Sequence, residues 1–256
     1  MAGLLAVTYG MAVYAVFFAT FLYAIGFVGN LVVPKMIDSG PAGDVVTAVV
    51  INVLLLGVFV VQHTIMARRG FKAWWTRIVP QAAERSTYVL AATAALALLL
   101  WQWRSIEGVV WQVTDPLALG AIQALFFLGW AVLLASTFMI DHFDLFGLRQ
   151  VVLYARGVPY TPPDFQTTGL YRYVRHPIML GFLIAFWAAP TMTVGHLLFA
   201  AATTGYILIG IAFEERDLLH YYGEHYHSYR AAVPMLIPGL GRARARERAS
   251  QGGTGR

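Results

Sequence analysis

Cysteine is missing from all 256 residues. No disulfide, thiolate metal site or cysteine nucleophile is available, which also excludes a covalent intermediate on an enzyme thiol. Charge is scarce: Asp, Glu, Lys and Arg make up 12% of the chain, against about 25% in soluble domains. No internal repeat is present. The longest polar stretch, Asp141 to His176, is too short and aromatic to form a separate soluble module. Met1–Val33 has neither a positive n-region nor a small-residue cleavage site followed by a polar start, so it reads as a retained span rather than a signal peptide.

What is abundant is apolar. Hydrophobic residues make up 59% of the chain and the mean hydropathy is +0.64. The expected fold is an all-α integral membrane protein, a bundle of about five to six transmembrane helices. Apolar runs near 8–33, 45–67, 87–103 and 116–140 each approach the ~20 residues needed to cross hydrocarbon. Two further apolar helices are expected near 178–190 and 196–213, with Pro190 and Gly195 bracketing the turn.

The net charge of +5 does not imply nucleic acid, because the positive residues fall in blocks. One runs from Arg68 to Arg85, one from Arg149 to Arg175, and one from Arg216 to Arg256. Only Lys35 and Arg104 lie elsewhere. With six crossings, the N-terminus, the 68–86 loop, the 141–177 segment and the tail share one side. The positive-inside rule makes that side cytoplasmic. The basic stretch 239–256 is expected to be a disordered tail attracted to anionic lipid.

Ionisable groups cluster at span ends, where they are costly and commonly functional. Pro177 suits the first turn of a helix. Arg175 and His176 would then sit at its mouth beside free backbone N–H groups, a place to bind a carboxylate; snorkelling of an interfacial cation is the plainer reading. Glu214 and Glu215 close the expected last span and oppose its macrodipole. They face a ligand or pair with Arg172, Arg175 or Arg216, and both can hold at once, one carboxylate each. Tyr222, Tyr226 and Tyr229 recur at helical spacing, as a ligand cover or as an interfacial aromatic belt. His63 lies within a span, partnered or functional. Asp141 and His142 are adjacent, so a helix would point them apart. Pairing of one of them with His63 or an Arg across helices is the more plausible arrangement.

Gly169-x-Tyr171, Arg175-His176-Pro177, Leu180-Gly181, Glu214-Glu215, Tyr226, Tyr229 and Val233-Pro234 together resemble the C-terminal half of the isoprenylcysteine carboxyl methyltransferase superfamily, membrane enzymes that use S-adenosylmethionine (SAM). Phe21–Asn30, Gln62-His63, Ala67-Arg68, Phe71-Lys72, Trp74-Trp75 and Asp141–Gln150 resemble the bacterial methanethiol S-methyltransferases, a group similar to the NnrU-like membrane proteins. The sequence departs from the pattern at Met179, where Tyr is usual, and at Tyr222, where Phe is frequent.

The resemblance implies SAM as cofactor, a small volatile thiol as substrate, methylation of methanethiol to dimethyl sulfide, and no metal. It assigns Tyr171, Arg175, His176, Pro177, Leu180, Glu214, Glu215, Tyr226 and Tyr229 to a cytoplasmic-side SAM pocket in a donor half, residues 141–238. Residues 1–140 would form the acceptor pocket. Methyl transfer from a sulfonium needs an aligned thiolate, and apolar surroundings disfavour that charge. His63, Asp141 or His142 would take the proton, and Arg149 would stabilise the thiolate. Other acceptors, isoprenylcysteine or a phospholipid amine, share the fold. So do a reductase related to the sterol reductases and a non-enzymatic NnrU-like protein.

Overall fold

A computed structural model describes residues 1–40 and 43–239; the expected basic tail, 240–256, lies outside the described residues. Among the described residues, five helices are long and apolar enough to span a membrane: α1 (Ala2–Gly29), α2 (Val45–Ala67), α4 (Gln81–Gln102), α5 (Pro116–Ile140) and α9 (Val194–Tyr222). Between α2 and α4 lies the short α3 (Arg69–Trp75). After α5 come α6 (His142–Leu145), α7 (Leu148–Ala155) and a 3-10 turn at Gly169–Arg172. The chain then forms α8 (Pro177–Trp187) and, past α9, α10 (Glu224–Ala232).

Local chemistry sets the starts of three spans. Asp44 accepts from Thr47 N at 2.8 Å, Asp115 from Ala118 N at 2.9 Å, and Thr193 Oγ1 from His196 N at 3.0 Å, each capping an orphan donor of a first turn. Pro116 follows Asp115 at the first helical position, where it costs no hydrogen bond.

The expected sixth crossing is corrected in form. The helix α8 has 11 residues, about 16 Å at 1.5 Å per residue, roughly half of a ~30 Å hydrocarbon layer. The chain continues as an extended segment to strand β2 (Thr191–Thr193), which pairs antiparallel with β1 (Val109–Gln112). This ribbon closes the end of the bundle opposite α10. The third span also begins earlier than expected, at Gln81, because polar residues extend the helix past its apolar run.

The core is aromatic. Trp103 packs edge-on against Phe27 and Phe199, and Phe199 against Phe186, geometries that ring quadrupoles favour. The backbones of α5 and α8 approach closely. A Cβ built on Gly181 would meet Gly129 O and Leu133 N at 2.7 Å, and one on Gly129 would meet Ala185 N at 2.7 Å. Small residues at this spacing are how membrane helices gain close packing.

Candidate active site

Beyond the spans, one buried carboxylate organises the polar residues of α8, α9 and α10. Glu215 is 6% exposed. Its Oε1 accepts from Arg175 Nε at 2.7 Å, lies 2.7 Å from Nη2, and is 3.2 Å from His176 Nε2. Its Oε2 lies 3.1 Å from Arg230 Nε. Arg175 Nη1 also donates to Arg230 O at 3.0 Å and Val233 O at 2.5 Å. The helix-mouth reading is therefore corrected for Arg175: a buried guanidinium demands a partner, and Glu215 already supplies it.

The two adjacent acids divide their work. Glu215 is internal, while Glu214 is half-exposed and meets only His176, at 3.4 Å from Nδ1. Burial lowers the His176 pKa, but hydrogen bonds and charge from Glu214 and Glu215 outweigh it, so His176 sits above the ordinary histidine value. The helix does not end at this pair. It runs on to Tyr222, so the macrodipole reading lapses.

A cavity of about 930 Å³ lies beside this cluster, with Glu214, His176 and Arg175 in its wall. Tyr171, Tyr226 and Tyr229 line it too. Tyr229 Oη donates to Tyr171 O at 2.6 Å. The Tyr226 hydroxyl is buried without a hydrogen-bond partner, a costly state for a polar group. Burial raises all three phenols: Tyr229 to about 12 with Arg175 opposing, Tyr171 with Glu214 assisting, and Tyr226 with Glu215 assisting. They remain neutral donors at neutral pH. The shared helical face expected for Tyr222, Tyr226 and Tyr229 is interrupted, because Gly223 turns the chain at φ 52°, ψ −125°, a conformation suited to glycine. Phe165 reunites them, with ring centroids 4.9, 5.7 and 5.3 Å from Tyr222, Tyr226 and Tyr229.

Asp141, between α5 and α6, also lines the cavity and has φ 93°. A non-glycine residue held there stores backbone strain. Its Oδ1 accepts from Asp144 N at 3.0 Å, and its Oδ2 is 3.8 Å from Arg149 Nε, so Asp141 meets an arginine rather than His63. Arg149 itself is consumed by Asp144 at 3.1 Å and Thr161 O at 3.0 Å and does not line the cavity.

His142 is also tied. Thr137 Oγ1 donates to Leu134 O at 2.7 Å, which leaves it to accept from His142 Nδ1 at 2.8 Å. The bare Nε2 then accepts from Tyr14 Oη at 2.7 Å. Burial lowers its pKa despite Asp141 nearby. Both nitrogens are satisfied in the neutral ring. It lines a second pocket of about 380 Å³.

His63 lies away from both pockets. Its Nε2 is 3.0 Å from Tyr88 Oη, and its ring stacks on Phe59. Leu180 packs with Ile207, Ile211 and Leu236 as core, and Pro177 starts α8 outside the cavity wall. Thus Asp141, Tyr171, Arg175, His176, Glu214, Tyr226 and Tyr229 come together, and His63, His142, Arg149, Pro177, Leu180 and Glu215 stand behind or apart.

Lys72, Arg85, Asp144 and Phe165 also line the cavity, and sequence reasoning gave none of them a role. Burial and Arg85 lower the Lys72 pKa, with Glu84 offsetting part of the change. Lys72 and Asp144 fall within segments that carry the family resemblance, and Lys72 and Arg85 within the basic block from Arg68 to Arg85, which reads equally as topology. Lys72 and Arg85 bring cations, and Glu214 and Asp141 carboxylates, to the lining of one cavity, which suits a ligand carrying both signs and an aromatic group.

The NnrU protein family matches residues 51–214. A protein named methanethiol S-methyltransferase from Mycobacterium tuberculosis is 60% identical over 91% of this chain and 96% of its own. Methanethiol S-methyltransferase 1 from Bradyrhizobium diazoefficiens is 55% identical over 91% of this chain and 82% of its own. The namesake from Crocosphaera subtropica is 50% identical over 91% of this chain and 92% of its own. No solved structure matches the chain significantly. By sequence and by its helical membrane architecture, the chain belongs to the NnrU family.

Proposed function

We propose that this protein is a membrane-embedded methyltransferase that methylates methanethiol to dimethyl sulfide with SAM as methyl donor. The observation that carries the reading is the 60% identity, across nearly the whole chain, to a protein named for that activity.

The cavity residues fit the donor. Its volume, about 930 Å³, lies within the ~300–1,000 Å³ typical of small-molecule sites. The face of an aromatic ring attracts a cation, and Tyr171, Tyr226, Tyr229 and Phe165 offer such faces beside Glu214. The unpartnered Tyr226 hydroxyl awaits a polar group of the ligand. Lys72 and Arg85 suit a ligand carboxylate. When bound, SAM supplies an electrophilic methyl group and leaves as a neutral thioether.

The remaining work falls to the chain. Asp141 offers the Oδ2 that Arg149 holds loosely, and it accepts the proton that the thiol loses. His142, locked neutral by Thr137 and Tyr14, fixes the turn that carries Asp141. Arg175, Glu215 and Arg230 hold α10 against α9, keeping Tyr226 and Tyr229 in the wall. Phe165 and Tyr222 restrict water, which strengthens the local electrostatics. Residues 141–238 form most of the donor side, and residues 1–140 add Lys72 and Arg85 and close the acceptor side. Among the described residues, the cavity end carries all the Arg and Lys but Lys35 and Arg104, a bias that orients it to the cytoplasm, as in a bacterial inner membrane.

Headspace gas chromatography of the purified, detergent-solubilised protein with SAM and methanethiol tests the reading. Dimethyl sulfide above a no-enzyme control is expected. No product, in a preparation that binds SAM by calorimetry, would turn the search to larger thiol or lipid acceptors.

A further inference from the structure

Beside the large cavity, the last turn of α5 and the first turn of α6 frame the second pocket, of about 380 Å³. Phe138, Met139, His142 and Phe143 line it. Ile140, Asp141, Pro163 and Gln166 line both pockets, so the two spaces share a wall that includes Asp141, whose backbone is strained. Phe138 and Phe143 are 56% and 51% exposed, and their rings stand edge to face, 6.3 Å apart. They flank an opening at the end of a membrane span.

Resting on the methyltransferase reading above, we infer that this second pocket receives the acceptor, and that it takes small uncharged thiols arriving from the membrane interface. Sulfur makes favourable contacts with aromatic ring edges, and three aromatic rings line the pocket. No cationic side chain does, so nothing there compensates an anionic thiol, and Asp141 repels one. The imidazole of His142 adds no charge, because both nitrogens are occupied in the neutral ring. A thiol seated here has Asp141 within the same wall and the large cavity beyond it. That juxtaposition is what an in-line transfer between two bound molecules requires. Phe138 and Phe143 bound the pocket on its open side, so their bulk sets how long an alkyl chain it admits.

The test uses the full-length protein in detergent. Thioether formation from methanethiol, ethanethiol, 1-propanethiol and glutathione is measured for wild type, Phe143→Ala and Phe138→Trp, with SAM affinity followed by calorimetry. Wild type is expected to prefer methanethiol and to leave glutathione unmethylated. Phe143→Ala should raise the kcat/KM ratio of 1-propanethiol to methanethiol about tenfold or more, the scale on which an apolar pocket weighs one or two methylenes. Phe138→Trp should raise KM for methanethiol while the Kd for SAM stays unchanged. An active wild type with neither variant altering KM or the chain-length ratio overturns the inference and leaves the enzyme reading standing. Efficient methylation of glutathione overturns it equally. A wild type that methylates no thiol removes the enzyme reading and this pocket's role with it.

Discussion

The two ends of the bundle treat their carboxylates differently. At the ribbon end, each described aspartate serves structure. Asp38 accepts from Asn30 at 2.7 Å and Thr193 at 2.5 Å, and Asp44 and Asp115 cap α2 and α5. At the cavity end, Glu215 is saturated, yet Glu214 next to it keeps a half-exposed carboxylate with one histidine contact, and Asp141 holds Arg149 only at 3.8 Å. The same bundle thus separates polar groups that finish the fold from polar groups left with capacity. Spare capacity beside a cavity marks the site: the exposed Glu107 at the ribbon end borders neither described cavity.

The comparison can be broken in order of expected effect. Glu215→Ala should cost the most, because Arg175, His176 and Arg230 lose their common partner. Removing one member of a buried charge cluster costs roughly 3–5 kcal/mol, read as a large drop in the unfolding midpoint in micelles. Gly181→Leu places side-chain atoms where Gly129 O and Leu133 N already stand. Overpacking of this kind costs about 1–3 kcal/mol or more, and the same midpoint reports it. Asn52→Leu tests the ribbon end. Asn52 both donates to Arg104 O at 2.7 Å and accepts from Arg104 N at 2.8 Å, so the variant loses two hydrogen bonds at about 0.5–1.5 kcal/mol each. SAM affinity should not change with it, and a parallel loss of affinity would erase the distinction between the ends.

The smallest effect is a pH dependence. His176 has its pKa raised in the fold, so pairing favours its protonated form. That contribution is complete below the ordinary value of about 6.5 and is lost as pH rises through the raised value. The unfolding midpoint should therefore fall as pH rises above that ordinary value, and His176→Gln should flatten that slope. An unchanged slope would show that Glu214 and Glu215 do not hold a charged imidazole.

Much of this architecture was legible in the sequence, because a span writes itself as ~20 apolar residues. The ribbon was not: three- and four-residue strands are too short to show a period. The brevity of α8 was hidden because Ala188, Ala189 and Pro190 prolong its apolar run without prolonging the helix. At the site, the pairing of the Glu214-Glu215 step with Arg175 was readable as one alternative, but not that Glu215 rather than Glu214 makes it. The roles expected of His63, His142 and Arg149 did not survive as cavity positions, because a buried histidine or arginine looks the same in sequence whether satisfied or not. Tyr88, Thr137, Tyr14 and Asp144, their actual partners, are brought up only by tertiary packing. Arg85 and Phe165 escaped notice for the same reason, and Lys72 was noted only as part of a resembling segment.

One titration bears most directly on the claim that the cavity holds the donor: SAM binding by calorimetry to wild type and Tyr226→Phe, with unfolding midpoints measured alongside. The Tyr226 hydroxyl has no partner in the fold, so its removal should not lower the midpoint. If that hydroxyl meets the ligand, SAM affinity should weaken about tenfold, the value of one hydrogen bond of ~1.4 kcal/mol. Undiminished affinity in Tyr226→Phe, together with a midpoint below that of wild type, would contradict the assignment: the hydroxyl would then serve the fold, and the donor would bind elsewhere.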